Sequence, residues 1–124
     1  MTALCASSGS SAFVGITSSA AIGVVSAVLY EGAYKLMNKL EIDDPMYYTQ
    51  IHATGGLWGV LAIGIFHNTD GLLTNASLDL LFRQFVYGIC AIAFGVFTSG
   101  CLWKTLKIFR LRIDHIYEVI GIEM

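Results

Sequence analysis

The sequence predicts an all-α integral membrane protein with three transmembrane helices. Of its 124 residues, 56% are hydrophobic and 13% are charged, whereas a soluble domain carries about 25% charged residues. Three windows, residues 1–30, 45–69 and 84–103, contain no Asp, Glu, Lys or Arg. A helix needs about 20 mostly apolar residues to cross a bilayer, so each window is long enough to span one.

The composition of these windows is not that of a soluble helical bundle, which is the alternative fold class. The outer helices of such a bundle need a polar face toward water, and the three windows offer too little polarity for that. The mean hydropathy of the whole chain, +0.68, agrees with lipid as its solvent. We therefore expect a multi-pass membrane protein.

The membrane domain is predicted over residues 1–108, with helices at about 14–37, 46–66 and 80–106. The first helix is rich in Ala, Gly and Ser, which lets neighbouring helices approach closely in lipid. Pro45 is expected at the first turn of the second helix, where its missing N–H is harmless. Asp43 and Asp44, directly before it, suit the positive end of the helix dipole.

The distribution of cations predicts the orientation of these helices. Lys35 and Lys39 follow the first helix, the loop after the second carries Asp70 and Asp79, and four cations follow the third: Lys104, Lys107, Arg110 and Arg112. Because cytoplasmic loops carry an excess of Lys and Arg, the N-terminus is expected outside and the C-terminus in the cytoplasm. Residues 109–124 are predicted to form an amphipathic cytoplasmic tail, since apolar residues recur there at helical spacing.

The sequence shows no motif for catalysis, for a metal or for a cofactor. Cys5, Cys90 and Cys101 are scattered and odd in number, so neither a disulfide framework nor a metal site is expected, and we interpret them as small apolar residues. There is no phosphate-binding loop and no Ser-His-Asp set. We therefore expect no enzyme activity, no cofactor and no nucleic-acid partner.

His52 is the residue with the strongest functional signal, because it lies well inside an uncharged window. Gly55, Gly56 and Gly59 follow it at helical spacings, so one helix face carries an imidazole beside a strip without side chains. One interpretation is a histidine hydrogen-bonded across a packed helix interface. The other is a polar path, since ionisable residues inside spans tend to face cavities or substrate routes. From the residues alone both interpretations stay open.

Several blocks of the sequence resemble the ammonium transporter branch of the ammonium transporter and Rhesus glycoprotein family. Residues 42–45 read IDDP, His52 follows seven residues after the proline, and residues 56–59 read GLWG, which is similar to the family pattern in identity and spacing. Residues 2–14 resemble the segment before the family's ninth helix. Gln84, Gly88 and residues 102–104 resemble its last helix, and the tail resembles the start of the family's cytoplasmic tail.

The resemblance implies that the chain corresponds to the last three helices of an eleven-helix ammonium transporter fold. Family members are homotrimers in lipid, and each protomer has a narrow pore that carries ammonium or ammonia past two stacked histidines. His52 matches the second histidine of that pair, Gly55, Gly56 and Gly59 would pack the pore helix, and Asp44 matches the acidic residue at the cytoplasmic helix start. Trp58 is expected to pack rather than to line the pore.

Two readings of the chain follow from this resemblance. The first is the C-terminal fragment of a transporter, because the first pore histidine and eight helices have no counterpart in the 124 residues. The second is a non-conducting truncated paralogue, a structural or regulatory subunit that associates with full-length protomers. The tail departs most from the family, since Ile116, Tyr117 and Ile120 replace glutamates there.

Overall fold

The computed structural model describes residues 1–109, and the regular elements in that part of the chain are all helices, with no β-strand. Its elements are α1 (Thr2–Ser8), α2 (Ile16–Lys39), a π-helical turn (Thr49–Thr54), α3 (Gly55–Phe66), α4 (Leu72–Asn75) and α5 (Asp79–Ile108). The prediction of an all-α chain is confirmed for these residues. The predicted amphipathic tail, apart from Phe109, lies outside the described residues and stays a prediction.

Helices α2 and α5 are long and apolar enough to cross a membrane. They correspond to the first and third predicted helices, and few of their residues are buried within the chain. The π-helical turn and α3 correspond to the second, with 6 and 12 residues. Because α3 alone is shorter than the roughly 20 residues of a spanning helix, a third span and the orientation of all three stay predictions.

The second predicted helix begins at Thr49 rather than at Met46. The cause is a backbone conformation that the sequence does not indicate. Tyr47 has a φ of 56°, a left-handed conformation that a non-glycine residue adopts at a cost of about 1–2 kcal/mol and that interrupts a helix. Pro45 therefore lies in a turn before the helix instead of in its first turn. The helix start is organised by Asp44, as described below.

The chain divides into two compact units, Met1–Ile89 and Cys90–Met124. In the first unit, the short helix α1 packs against both α2 and α3. A small core of Ala6, Val14, Ile22 and Ala62 is buried there, with Trp58 and Phe66 partly buried against it. In the second unit, the structure describes the remainder of α5 and Phe109.

Helix α1 was not predicted as a separate element, although its residues were aligned with a family segment. Seven residues are too few for a hydrophobic period, and an isolated helix of that length is not stable in water. Its packing on α2 and α3 supplies the stability that seven residues alone do not provide. This packing brings α1 to the residues around His52.

Candidate functional site

His52 lies in the π-helical turn that precedes α3, and its side chain is exposed. A π-helical turn has i→i+5 hydrogen bonds, is rare in proteins and occurs frequently at functional sites. The wider turn changes the direction of the side chains that follow, so His52 does not keep the angular relation to Gly55, Gly56 and Gly59 that an uninterrupted α-helix would give.

Asp44 holds the start of this turn through its carboxylate. Oδ1 accepts the backbone N–H of Tyr48 at 3.0 Å, and Oδ2 accepts that of Thr49 at 2.8 Å. The buried Gln50 amide, with its nitrogen toward Asp44, donates to Oδ2 at 2.8 Å as well. The hydrogen bond from the Thr49 backbone, opposed by desolvation and assisted by the Thr49 side chain and the Tyr48 backbone, lowers the pKa of Asp44 from its ordinary value of 3.8.

The three glycines that follow His52 have different surroundings. A Cβ at Gly59 would lie 2.5 Å from the carbonyl oxygen of Ala6, and a Cβ at Gly55 would lie 3.0 Å from that of Thr2. The backbone of α1 therefore rests directly on α3 at these two positions. A Cβ at Gly56 would meet no atom within 4 Å. Gly55 and Gly59 are thus packing positions within the chain, and Gly56 faces open space.

Two side chains contact the imidazole of His52. Cys5 of α1 places its Sγ 3.8 Å from Nδ1, and the ring of Tyr48 stacks on the imidazole with a centroid distance of 5.6 Å. Sequence reasoning missed Cys5, which was interpreted as a small apolar residue. The available signal was the spacing of Thr2 and Ala6, two small residues four apart that match the spacing of Gly55 and Gly59.

Trp58 joins α3 to α2 instead of facing the neighbourhood of His52. Its indole N–H donates to the backbone carbonyl of Ile22 at 3.1 Å, and the Ser26 hydroxyl donates to the same oxygen at 2.7 Å. The ring is partly buried against the small core. This contact fits the packing role that was expected for Trp58.

The second described histidine, His67, lies at the opposite end of α3 and organises the following loop. Its Nδ1 accepts the backbone N–H groups of Thr69 and Asp70 at 3.3 and 3.2 Å, and its ring stacks on Phe13 at 5.3 Å. His67 is therefore not a partner for His52. Within residues 1–109 no group of three or more His, Cys, Asp or Glu side chains is placed to hold a metal ion.

A sequence profile described as the Ammonium Transporter Family matches residues 1–124, the whole of the chain. The chain belongs to the ammonium transporter family. The resemblance carried by residues 42–45, His52 and residues 56–59 is thereby confirmed at the level of the family.

Proteins named as ammonium transporters align with most of the chain. "Ammonium transporter 3" of Dictyostelium discoideum is 29% identical over 97% of the chain. "Putative ammonium transporter 3" of Caenorhabditis elegans is 34% identical over 83%, and "Ammonium transporter 1 member 1" of Arabidopsis thaliana is 29% identical over 82%. The chain spans 31%, 17% and 23% of these three proteins, which is less than a third of each. No solved structure matches the chain.

Membership in the ammonium transporter family, together with the apolar helices α2 and α5, makes this chain a membrane protein. The prediction of a membrane location is confirmed. The family is one of transporters rather than of enzymes. Ammonium transport is therefore the activity at the level of the family.

Proposed function

We propose that the chain forms the C-terminal part of a channel-like ammonium transporter, in which His52 is one of two paired pore histidines. The observation that carries this proposal is the exposed imidazole of His52 in the π-helical turn, within a segment that has no charged residue from Pro45 to Thr69. A neutral imidazole both accepts and donates a hydrogen bond. Such a ring can pass a small polar solute along a narrow path.

The other components of the transporter come from outside these residues. Because the chain spans less than a third of its curated relatives, we propose that the second pore histidine and the remaining helices belong to the rest of the gene product. We further propose three spans with a cytoplasmic C-terminus, homotrimeric assembly and a plasma membrane location. Asp44, which fixes the start of the π-helical turn, would order the cytoplasmic vestibule. Gly55 and Gly59 would pack the pore helix.

The role of His52 is tested by His52→Ala in the complete gene product, expressed in cells that lack ammonium uptake of their own. We expect ammonium uptake to change about tenfold, equivalent to about 1.4 kcal/mol, or the ratio of ammonium to methylammonium uptake to change, with normal assembly. His67→Asn is the matched control, since it removes a histidine from the other end of α3 and keeps an acceptor. Unchanged uptake of both solutes by an assembled His52→Ala protein would mean that His52 has a packing role and no role in transport.

A non-conducting subunit is the second candidate, and it would use the same exposed apolar helices that a complete transporter covers. Val24 and Val28 of α2 and Phe94 and Phe97 of α5 are each about 70% exposed within the chain, so these helices could associate with full-length protomers. The native product distinguishes the two proposals. A product well above 13.4 kDa, the mass of this chain, supports the transporter part, whereas a 13.4 kDa product that copurifies with a full-length transporter supports the subunit.

A further inference from the structure

We propose that Gln50 is a positioning residue for His52, whose buried side-chain amide fixes the start of the π-helical turn. This inference rests on the proposed function of His52 and deepens it. Gln50 is only 2% exposed, although glutamine is mostly found at protein surfaces. A buried amide needs hydrogen-bond partners, and the partners of Gln50 lie at the beginning of the turn that carries His52.

The amide of Gln50 connects two acceptors in front of the turn. Its nitrogen donates to Oδ2 of Asp44 at 2.8 Å and to the backbone carbonyl of Tyr47 at 3.2 Å, which uses both N–H donors of the group. Oδ2 of Asp44 also accepts the backbone N–H of Thr49 at 2.8 Å, and the carbonyl of Tyr47 also accepts that of Ile51 at 2.9 Å. Gln50 therefore joins the two groups that hold the backbone of the turn.

Tyr47 is the residue whose conformation depends most on this connection. Its φ of 56° is a left-handed conformation, which a non-glycine residue keeps only where the surrounding structure determines it. The next residue, Tyr48, stacks its ring on the imidazole of His52 at a centroid distance of 5.6 Å. By fixing the carbonyl of Tyr47, Gln50 sets the direction of the Tyr48 ring and thereby the place of the imidazole.

His52 needs such support because its own side chain is exposed. A functional side chain has to be held within about 0.5 Å of its working position by packing and by the hydrogen bonds of the residues around it. Burial does not supply this for His52, so its position depends on the backbone of the π-helical turn. The amide of Gln50 is the buried polar group that fixes the first residues of that turn.

Gln50→Met in the complete gene product tests the inference, because it keeps the length of the side chain and removes both donors. We expect ammonium uptake to fall several-fold, with no further fall in a His52→Ala background, since Gln50 acts through His52. Assembly should be retained, because Asp44 and Tyr47 each keep a backbone partner. Gln84→Met, at the other glutamine of the chain, is the control and should leave uptake unchanged.

Gln50→Glu separates the hydrogen bond from the volume of the side chain. A protonated carboxyl donates to Asp44 as the amide does, whereas two ionised carboxylates repel each other at this distance. Uptake by Gln50→Glu should therefore match the wild type at low pH and fall below it as the pH rises, with both proteins measured at each pH. Gln50→Met should be impaired at every pH, and equal impairment of the two variants at low pH would overturn the inference.

Hydrogen–deuterium exchange reports on the turn without depending on transport. The backbone N–H groups of Tyr48 and Thr49 are bound by the Asp44 carboxylate, so peptides that cover residues 44–54 should exchange several-fold faster in Gln50→Met. Peptides from α5 should exchange as in the wild type. Unchanged exchange of residues 44–54 would mean that Gln50 does not fix the turn.

The outcomes distinguish this inference from the proposed function. If His52→Ala changes uptake but Gln50→Met does not, or changes it equally with and without His52, Gln50 does not position the imidazole and the role of His52 stands. If His52→Ala leaves transport unchanged, the proposed function itself fails.

Discussion

Gly59 and Gly56 lie on the same helix, α3, and differ in what surrounds them. The Cβ introduced by Gly59→Ala would lie 2.5 Å from the carbonyl oxygen and 2.9 Å from the Cα of Ala6, both of them backbone atoms that cannot rotate away. We expect Gly59→Ala to lower the free energy of unfolding by about 1–3 kcal/mol, the usual range for overpacking. The measurement is the thermal unfolding midpoint of the complete gene product in detergent.

Gly56→Ala is the matched control for this prediction, because nothing lies within 4 Å of its Cβ. Alanine has the higher helix propensity, so the control should change stability by no more than about 1 kcal/mol, and in the favourable direction. Equal destabilisation by both substitutions would contradict the close approach of α1 to Gly59.

Trp58 provides a second prediction at the scale of a residue. Trp58→Phe keeps most of the ring and removes the N–H that donates to the carbonyl of Ile22 at 3.1 Å. We expect the free energy of unfolding to fall by only about 1 kcal/mol. The loss is small because the same carbonyl oxygen still accepts a hydrogen bond from the Ser26 hydroxyl. Trp103→Phe on α5, where the tryptophan is exposed, is the control, and a comparable loss there would argue against the α2–α3 contact.

The Asp44 carboxylate stabilises the start of the π-helical turn, and this stabilisation depends on pH. Its pKa is lowered in the folded chain, mainly by the Thr49 backbone N–H. A group with a lowered folded pKa stabilises the fold above its unfolded pKa, and this stabilisation is lost as the pH falls through the folded pKa. We therefore expect the unfolding midpoint in detergent to fall as the pH is lowered below about 3.8.

The variant that tests this dependence is Asp44→Asn, which does not titrate and keeps a single acceptor oxygen. It should be less stable than the wild type at neutral pH and should show a flatter acid dependence. Asp43→Asn, one residue earlier, is the matched control and should retain the wild-type slope. An acid dependence that survives Asp44→Asn and disappears in Asp43→Asn would contradict the assignment to Asp44.

At the scale of the elements, the sequence predicted the two helices that follow from the composition of long segments. Helices α2 and α5 follow from long apolar windows, which report directly on lipid as a solvent. The π-helical turn could not be predicted, because it depends on the left-handed Tyr47 and on the backbone hydrogen bonds that the Asp44 carboxylate accepts. Helix α1 was missed because its order comes from packing against other elements rather than from its own seven residues.

The candidate site shows the same division. His52 could be selected as a candidate from the sequence because an ionisable side chain in an apolar window is uncommon and needs an explanation. Cys5 was missed, because a contact between residues 47 positions apart leaves no local pattern apart from the small residues Thr2 and Ala6 on either side of it. Gly55 and Gly59 were recognised as a face that permits close approach, but the identity of the approaching backbone, α1, required the structure.

At the scale of the whole molecule, the exposed apolar surface of α2 and α5 requires lipid or other helices. Phe94 and Phe97 are each 70% exposed within the chain, and contiguous apolar surface of this kind marks contact with a membrane or a protein. Gly95 and Gly100 on α5 have open space where a Cβ would lie. These positions are suited to the close approach of further helices, as the proposed transporter would supply.

The number of spans and their orientation can be tested together with two positions. Lys35 and Lys39 at the end of α2 and Lys104 and Lys107 near the end of α5 both predict a cytoplasmic side. If α2 and α5 both run from outside to inside, the segment 49–66 between them must cross back through the membrane. Asn38, at the end of α2, then lies inside, and Asn75, in the loop before α5, lies outside.

The measurement is the labelling of single-cysteine variants, Asn38→Cys and Asn75→Cys, by a membrane-impermeant maleimide in intact cells. The background carries serine at positions 5, 90 and 101, so that no native thiol reacts. We expect Asn75→Cys to be labelled in intact cells and Asn38→Cys only after the cells are permeabilised. Labelling of both positions from the same side would mean that residues 49–66 do not cross the membrane. His52 would then lie outside any transmembrane path, which makes this experiment decisive for the fold and for the site.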